Sequence, residues 1–547
     1  MAKGIMYVDN IRVEFDDEPT IMDVCRKAGV EMPNFCFHSD LSVYGACRMC
    51  MVEDLDTGKI DAACTTKPKN GMRIRTNTSR LLKYRRMILE LMLASHCRDC
   101  TACEKNRSCR LQEMAVRFGI HHVHFKDTRE HVPMDFSSPA VTFDLNKCIL
   151  CGDCVRVCKE VQGMSILHFA GRGPGLHIEA GDDQPISTTH CVSCGQCAAV
   201  CTTGAITVKN DIGAAWRALH DPQKRVVIQI APAVRVAIGE AYGLPAGENV
   251  LDKLVTALKI MGADEIYDTI FGADLTVREE SKEFLRRLET GENLPLMTSC
   301  CPSWVRYVEQ ERPQFIKNLS SALSPMQMFA TVLKDKYREK DAADGRTTFH
   351  IAIMPCTAKK MEAGREEFRR DGVPNVDLVL TTQEVIKMIK ESGIRFQMLE
   401  KESPDLPFGM GSGAAEIFGT SGGVAEAVLR CCLPDKSKNV LRMLEHSGLR
   451  GTEAVRFVTI PVNGRDVRVA LAHGLANAAK RKRRGRGRPG RGHVLPHRLR
   501  RRRGPALRAD EHQAQARPRP VRDRPQRDVQ AQRAQPRPRR DVCRGSQ

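Results

Sequence analysis

At 547 residues the chain is long enough for several domains of roughly 100–200 residues each. Its formal charge of +19 would point to nucleic acid or an anionic surface, but Lys480–Gln547 alone holds 24 Lys and Arg against 5 Asp and Glu. Residues 1–479 are therefore charge-balanced, and a basic body is excluded.

The first ten residues show no apolar leader core and no stretch reaches about 18 consecutive apolar residues, so a cytoplasmic chain without a membrane span is expected. In that reducing setting 23 cysteines, 17 of them before residue 202, read as metal ligands rather than disulfides.

Two short alternating stretches, Ile5–Val8 and Ile11–Phe15, flank an Asp9-Asn10 turn and precede a helical stretch at Thr20–Ala28, the outline of a small β-grasp unit. Cys36, Cys47, Cys50 and Cys64 follow as C-x10-C-x2-C-x13-C, four thiolates suited to a [2Fe–2S] cluster, with zinc as the alternative. Cys25, on the helix, reads as core.

After the helical "LLKYRRMILELMLA" come His96, Cys100, Cys103 and Cys109 as H-x3-C-x2-C-x5-C, a mixed His/Cys3 set for a [4Fe–4S] cluster or, on chemistry alone, zinc. Cys97 reads as a spectator. The strongest signals are "CILCGDCVRVC" and "CVSCGQCAAVC", both C-x2-C-x2-C-x3-C. In this pattern the fourth cysteine serves the other cluster. Cys148, Cys151, Cys154 and Cys201 then form one [4Fe–4S] set, and Cys191, Cys194, Cys197 and Cys158 its neighbour. Lys159 and Thr202 replace the usual following proline, which is not a ligand.

From Lys224 the pattern turns to α/β: a buried-strand run "RVVIQIAP", a helix over Val250–Met261, then "ADEIYDTIFGADLT" and the helical "VREESKEFLRRLE". Residues 1–210 alone resemble both the iron-only hydrogenases and the large iron–sulfur subunit of respiratory NADH dehydrogenase. Downstream, "QIAPAVR", "TSCCPSW", "MPCTAKK" and "FGTSGGVAEAVLR" resemble the active-site domain of the [FeFe]-hydrogenases, which excludes the respiratory subunit.

The resemblance, over roughly residues 1–478, implies an H-cluster: a [4Fe–4S] cluster bridged by a cysteine sulfur to a two-iron unit. Cys301 and Cys356 match two of its four thiolates, and Cys300 matches the thiol that relays protons. Lys359 matches the ammonium facing a cyanide ligand, and Ala231, Pro232, Met354 and Phe418 match the wall that keeps the two-iron unit dry. Glu280, Glu283 and Ser320 match the proton route, the two carboxylates sharing one helix face and Ser320 between them. Leu323 and Met326 stand where the family usually has Lys and Gln, and Cys431 and Cys432 read as core.

The resemblance also implies a final Cys-x3-Cys among glycines, which supplies the remaining thiolates including the bridge. The only cysteine after residue 432 is Cys543. Lys480–Gln547 has no Phe, Trp or Tyr, is rich in Arg, Pro, Gly, Ala and Gln, and begins in mid-element, as an out-of-frame reading would. A genuine arginine-rich nucleic-acid arm is the weaker reading, since such arms intersperse Lys, Ser or aromatics behind a linker.

The expected organisation is α+β and multi-domain: a β-grasp [2Fe–2S] domain (1–79), a small His/Cys3 cluster domain (80–137), a bacterial-type two-[4Fe–4S] ferredoxin domain (138–210), a truncated α/β active-site domain (211–479) and a disordered basic tail (480–547). The expected activity is 2H⁺ + 2e⁻ ⇌ H₂ in an anaerobic cytoplasm, with no nucleic acid as partner. Electrons would come from ferredoxin or from flavin- and iron–sulfur-containing NAD(P)H-dehydrogenase subunits, since no nucleotide fingerprint occurs here. Hydrogenase maturation factors would install the two-iron unit. The literal sequence is expected to be inactive, and the competing class is a non-catalytic iron–sulfur sensor or assembly protein of hydrogenase ancestry.

Overall fold

A computed structural model describes residues 4–127, 131–406, 408–409 and 411–479, together with the backbone of 480 and 492–497. The remainder of the tail, Cys543 included, lies outside the described residues.

The N-terminal hairpin pairs Gly4–Val8 with Ile11–Phe15, and Asp9 and Asn10 take left-handed φ values of 49° and 73°, as a two-residue type I′ turn requires. Arg73–Arg75 lies parallel beside Gly4–Val8, and Met51–Asp54 and Ile60–Ala62 complete a five-stranded sheet. Helix Ile21–Lys27 buries Ile21, Met22, Val24 and Cys25 in the core of this unit, the β-grasp arrangement read from the sequence.

Helix Ser79–Ala94 starts at Thr78, whose hydroxyl accepts from the Leu81 N–H. Its buried Arg85 donates to the carbonyls of Met49 (3.0 Å), Thr76 and Met51 (2.7 Å each), which ties the helix to the first cysteine loop. In the ferredoxin-like unit, antiparallel Val141–Phe143 and Ile206–Val208 bring its two ends together, and a second hairpin, Leu167–Ala170 with His177–Ala180, separates the two cysteine motifs.

The second half is built on a four-stranded parallel sheet in the order Glu265–Asp268, Lys224–Ile230, Thr347–Met354, Leu378–Thr381. Lys224–Ile230 is buried from its second residue on, as an apolar strand covered on both faces must be. Where the sequence separated "IFGADLT" from the helix after it, the structure runs one helix from Ile270 to Thr290, leaving the strand only Glu265–Asp268. A second apolar core joins Phe284, Leu288 and Leu296 to helix Gly423–Cys432 and to the hairpin Val455–Val462/Arg465–His473.

Two expectations need correction. Cys432 is buried but Cys431 is exposed, because adjacent helix residues point about 100° apart. Within the tail, Gly492–His497 is a strand parallel to Arg465–His473 rather than coil. It carries Val494–Leu495, the tail's one pair of adjacent large aliphatics, so it has the strongest local β preference there. Among the described residues no helix is long and apolar enough to cross a membrane.

Candidate metal centres and active site

The cysteines of each group come together. Cys36, Cys47, Cys50 and Cys64 are all buried, and N–H groups point at their sulfurs: Phe35 N–H donates to Cys47 Sγ and Cys47 N–H to Cys36 Sγ, both at 3.4 Å. Burial, and after it the charges of Cys103 and Cys100, raise the Cys109 thiol. His96 is buried just past helix Ser79–Ala94, on the approach to those three cysteines.

The two C-x2-C-x2-C-x3-C loops repeat one backbone. Leu150 and Ser193 both take φ 56°, and their N–H groups donate to Cys148 and Cys191 Sγ at 3.4 Å. Gly152 and Gly195 follow at φ 75° and 68°. The fourth cysteines cross over: burial, then Cys194, Cys191 and Cys158, push the Cys197 thiol up, while burial, then Cys151, Cys148, Cys201 and Cys197, push up Cys154.

A single zinc ion would draw four thiolates to about 3.8 Å from one another. Among the described residues no three ligand atoms of these groups lie within 4.8 Å of each other, a spacing wider than one zinc but open to a polynuclear cluster.

The groups also adjoin one another. Phe35, Cys36, Cys47 and Met49 share an apolar cluster with Ile149, Cys109 and Cys151. Arg156 Nη2, deep between the first and third groups, donates to the Cys36 carbonyl at 2.7 Å. Arg110 N–H donates to Thr202 O at 3.0 Å, and a β-carbon on Gly204 would lie 2.7 Å from Cys103 Sγ. The Cys148/Cys201 set is thus the meeting point of the first two groups.

On its other side the Cys191–Cys201 loop reaches the sheet of the second half. Thr357 Oγ1 donates to Ser193 O at 3.0 Å, Ser303 Oγ donates to Val192 O at 2.9 Å, and Cys194 and Cys301 pack on one apolar cluster with Trp304. A β-carbon on Gly195 would lie 2.4 Å from Thr357 Oγ1, so only glycine fits this approach.

Ala231 and Pro232 follow strand Lys224–Ile230, and Cys356 follows Thr347–Met354, of which Met354 is the last residue. Both lie at the carboxyl ends of parallel strands, where open α/β sheets place their ligands. Cys301 caps helix Pro302–Glu311 on the side of Cys194, whereas its neighbour Cys300 packs with Phe418 against the second core. Phe418 sits in the turn before helix Gly423–Cys432; there Gly422 has φ +85°, and a β-carbon would lie 2.0 Å from Leu449 O. Met326 is buried among apolar side chains, so the polar group usual at that position has no counterpart here.

Lys359 Nζ lies 2.5 Å from Glu362 Oε2, both side chains 5% exposed. The ammonium expected to face a cyanide therefore has a carboxylate partner of its own, one the sequence reading missed although its i, i+3 spacing signals it.

Ser320 N–H donates to Met297 O at 2.7 Å and Ser299 Oγ to Ala322 O at 2.6 Å, setting the Cys300 loop alongside Ser320. Ser320 Oγ donates to Glu283 Oε2 at 2.8 Å, and Arg287, also missed, binds Oε1 at 2.5 Å. Burial pushes Glu283 up, but the Ser320 and Ser321 hydrogen bonds and Arg287 outweigh it and hold the carboxyl below its usual range. Glu280 is fully buried with Oε1 lacking a hydrogen-bond partner, and burial, then the Glu283 charge, push it up to about 8. Ser320 thus bonds one of the two carboxylates it was expected to link.

A β-grasp unit, the grouped cysteines and a thiol at the carboxyl end of a parallel strand define an iron–sulfur oxidoreductase. The description "iron only hydrogenase large subunit, C-terminal domain" matches residues 224–494. Those of a 2Fe-2S cluster-binding domain, the NADH-ubiquinone oxidoreductase-G iron-sulfur binding region and a 4Fe-4S dicluster domain match 5–79, 85–124 and 140–202. The chain is 36% identical over 490 residues to the NADP-reducing hydrogenase subunit HndD of Solidesulfovibrio fructosivorans, covering 87% of this chain and 84% of the relative. It is 33% identical to iron hydrogenase 1 of Clostridium pasteurianum, covering 87% and 83%. A more partial relative, cytosolic iron-sulfur assembly component 3 of Bos taurus, is 31% identical over 51% of this chain and 64% of its own length. The chain belongs to the iron-only, or [FeFe], hydrogenases.

Proposed function

We propose that this chain is the large subunit of a hydrogenase built for 2H⁺ + 2e⁻ ⇌ H₂, its electrons passing along one [2Fe–2S] and three [4Fe–4S] clusters. The observation that carries this reading is the contact of the Cys191–Cys201 loop with Thr357, the residue after Cys356. It puts the last cysteine set of the ferredoxin-like unit against the sheet-end thiol. The residues suited to hold the clusters are Cys36, Cys47, Cys50 and Cys64; His96, Cys100, Cys103 and Cys109; and the two crossed quartets. Their spread, wider than zinc needs, fits clusters.

The active-site cluster does not fit the residues present. Cys301 and Cys356 supply two thiolates, and no Cys-x3-Cys follows. A reading-frame change in the stretch after Ala479, which the family description still matches as far as residue 494, would account for this, and the literal chain would then be inactive in hydrogen turnover. Within the frame-restored protein, Cys300, Glu280, Ser320 and Glu283 hold and hand on protons, Glu280 protonated at neutral pH and Glu283 charged. Likeness to an NADP-reducing hydrogenase subunit supports an NAD(P)H-oxidising partner subunit as electron donor over free ferredoxin.

The deciding experiment restores the downstream frame, installs the two-iron unit and measures hydrogen evolution beside a Cys300→Ala control. Activity well above the control supports the enzyme. Activity no greater than the control overturns it in favour of the non-catalytic sensor or assembly role, to which the bovine relative's name points.

A further inference from the structure

The hairpin Leu167–Ala170/His177–Ala180, between the two cysteine motifs, carries a cluster of side chains that the hydrogenase reading does not use. A strand's side chains alternate between faces, so His177 and Glu179 share one, and the register sets His168 directly opposite Glu179. The other face, with Leu167 and Ile178, packs into the core. Asp182 follows in the next turn at φ 56°. His168, Glu179 and Asp182 bring ligand atoms within 4.8 Å of one another, the one such group among the described residues.

The imidazole of His177 lies against the Glu179 carboxylate. Its Nδ1 lies 2.8 Å from Gly175 O, and a carbonyl can only accept, so Nδ1 carries the proton. In the neutral ring Nε2 is then a bare lone pair, yet it points at Glu179 Oε2 from 3.3 Å, acceptor against acceptor. His168 Nε2 approaches the other oxygen of the same carboxylate at 2.9 Å. A positive charge between ring and carboxylate removes the conflict. An imidazole whose outer nitrogen is fixed by a backbone carbonyl is also the usual support of a metal-bound histidine. Ligands about 2.0–2.1 Å from a tetrahedral cation lie about 3.3 Å apart, so a bound cation would open the 2.9 Å separation of His168 Nε2 from Glu179 Oε1 by a few tenths of an ångström.

We propose that His168, Glu179 and Asp182 form a site for a divalent cation of the zinc or nickel class, whose affinity for mixed imidazole and carboxylate donors is high, with His177 bordering it through the second Glu179 oxygen. The hairpin begins beside Cys158, whose Sγ accepts the Ile166 N–H at 3.3 Å, so the bound cation places positive charge near the Cys158 cluster set. Being on an accessory unit, the site does not depend on whether the chain turns over hydrogen.

The test is equilibrium dialysis of the full chain, its iron–sulfur clusters loaded, against radiolabelled zinc chloride, with zinc-edge X-ray absorption on the bound fraction. Wild type is expected to retain one zinc more than Glu179→Gln or the double variant His168→Gln/His177→Gln, with nitrogen and oxygen neighbours. The exposed substitutions should leave the iron content unchanged. Equal zinc in wild type and both variants overturns the site and leaves imidazolium–carboxylate pairs, as does an absorption edge showing sulfur neighbours alone.

Discussion

Ser320 Oγ donates to Glu283 Oε2 at 2.8 Å while Arg287 holds the other oxygen at 2.5 Å, so this carboxylate is fixed in its charged form. One helix turn earlier, Glu280 is held in its neutral form, pushed up to about 8 by burial and then by the Glu283 charge. Two neighbouring carboxyls with opposite protonation at neutral pH are what a proton-passing pair requires.

The Glu280 shift makes a stability prediction with a definite sign. Its folded value lies above the ordinary carboxyl value of 4.5, so between 4.5 and about 8 the folded protein keeps a proton that the unfolded chain has lost. Its contribution is fully present below 4.5, declines by up to about 1.4 kcal/mol per pH unit across that window, and flattens above about 8. Glu280→Gln, an uncharged mimic, should escape the decline. Its thermal midpoint relative to wild type should rise from about pH 6 to about pH 9. Parallel midpoints across that range would show that Glu280 titrates normally.

Gly195→Ala tests the contact between the last cysteine loop and the sheet-end thiol. The added methyl would meet Thr357 Oγ1 at 2.4 Å, and the φ of +68° costs alanine about 1–2 kcal/mol more. The variant should keep its clusters, melt several degrees lower and, in the frame-restored enzyme, lose at least about tenfold in dithionite-driven hydrogen evolution, since an electron-transfer junction tolerates little displacement. Unchanged turnover would place the electron entry elsewhere.

Much of this junction could be read from the chain. The doubled cysteine motif brings its fourth cysteines near the opposite triads, as its spacing suggests, and the Asp9-Asn10 turn announced its hairpin, because spacing and turn chemistry are local. The partners of Glu283 and Lys359 are also local, at i, i+4 and i, i+3, but such spacings recur on any solvated helix face, so spacing alone does not mark these two pairs as buried. The meeting of Thr357 with Ser193, 164 positions apart, leaves no local trace. Nor does the exposure of Cys431 beside buried Cys432, which depends on how helix Gly423–Cys432 is rotated against its core.

Arg156 offers a test at the other end of the wire. It binds the carbonyls of Cys36 and Ser42, pairs with buried Asp153 and stacks on Tyr44 at 5.4 Å. Burial pushes Asp153 up to about 6, with Arg156 the main opposing charge. Arg156→Met leaves that carboxylate buried alone, at a cost of about 3–5 kcal/mol. The double variant Arg156→Met/Asp153→Asn should recover much of the thermal midpoint. Neither variant should restore the Cys36 contact, so reduction of the [2Fe–2S] signal by electrons from the [4Fe–4S] clusters, followed by freeze-quench electron paramagnetic resonance, should be slowed in both. Wild-type kinetics in the double variant would assign Arg156 a role in stability alone.

The last prediction concerns the ligands that are missing. All sixteen residues assigned to the accessory clusters precede position 202, and the described structure continues through helix Leu475–Lys480, whose Leu475 belongs to the apolar cluster on which Cys194 and Cys301 also pack. The fold therefore delivers the chain to the edge of the active-site thiols, and there the sequence changes character. Cys543 cannot substitute: it is one sulfur where two are needed, and the Arg- and Pro-rich sequence around it carries little apolar surface with which to hold it at the site. Expressed as written and reconstituted, the protein should contain iron and sulfide for one [2Fe–2S] and three [4Fe–4S] clusters, all reducible by dithionite, and should evolve no hydrogen even with the synthetic two-iron unit supplied. Resequencing the gene after codon 478 should reveal a frame encoding Cys-x3-Cys among glycines, and the chain carrying it should bind one further [4Fe–4S] cluster. Hydrogen evolution by the literal chain, with its frame confirmed, would mean that Cys301 and Cys356 are not the cluster thiolates assigned to them.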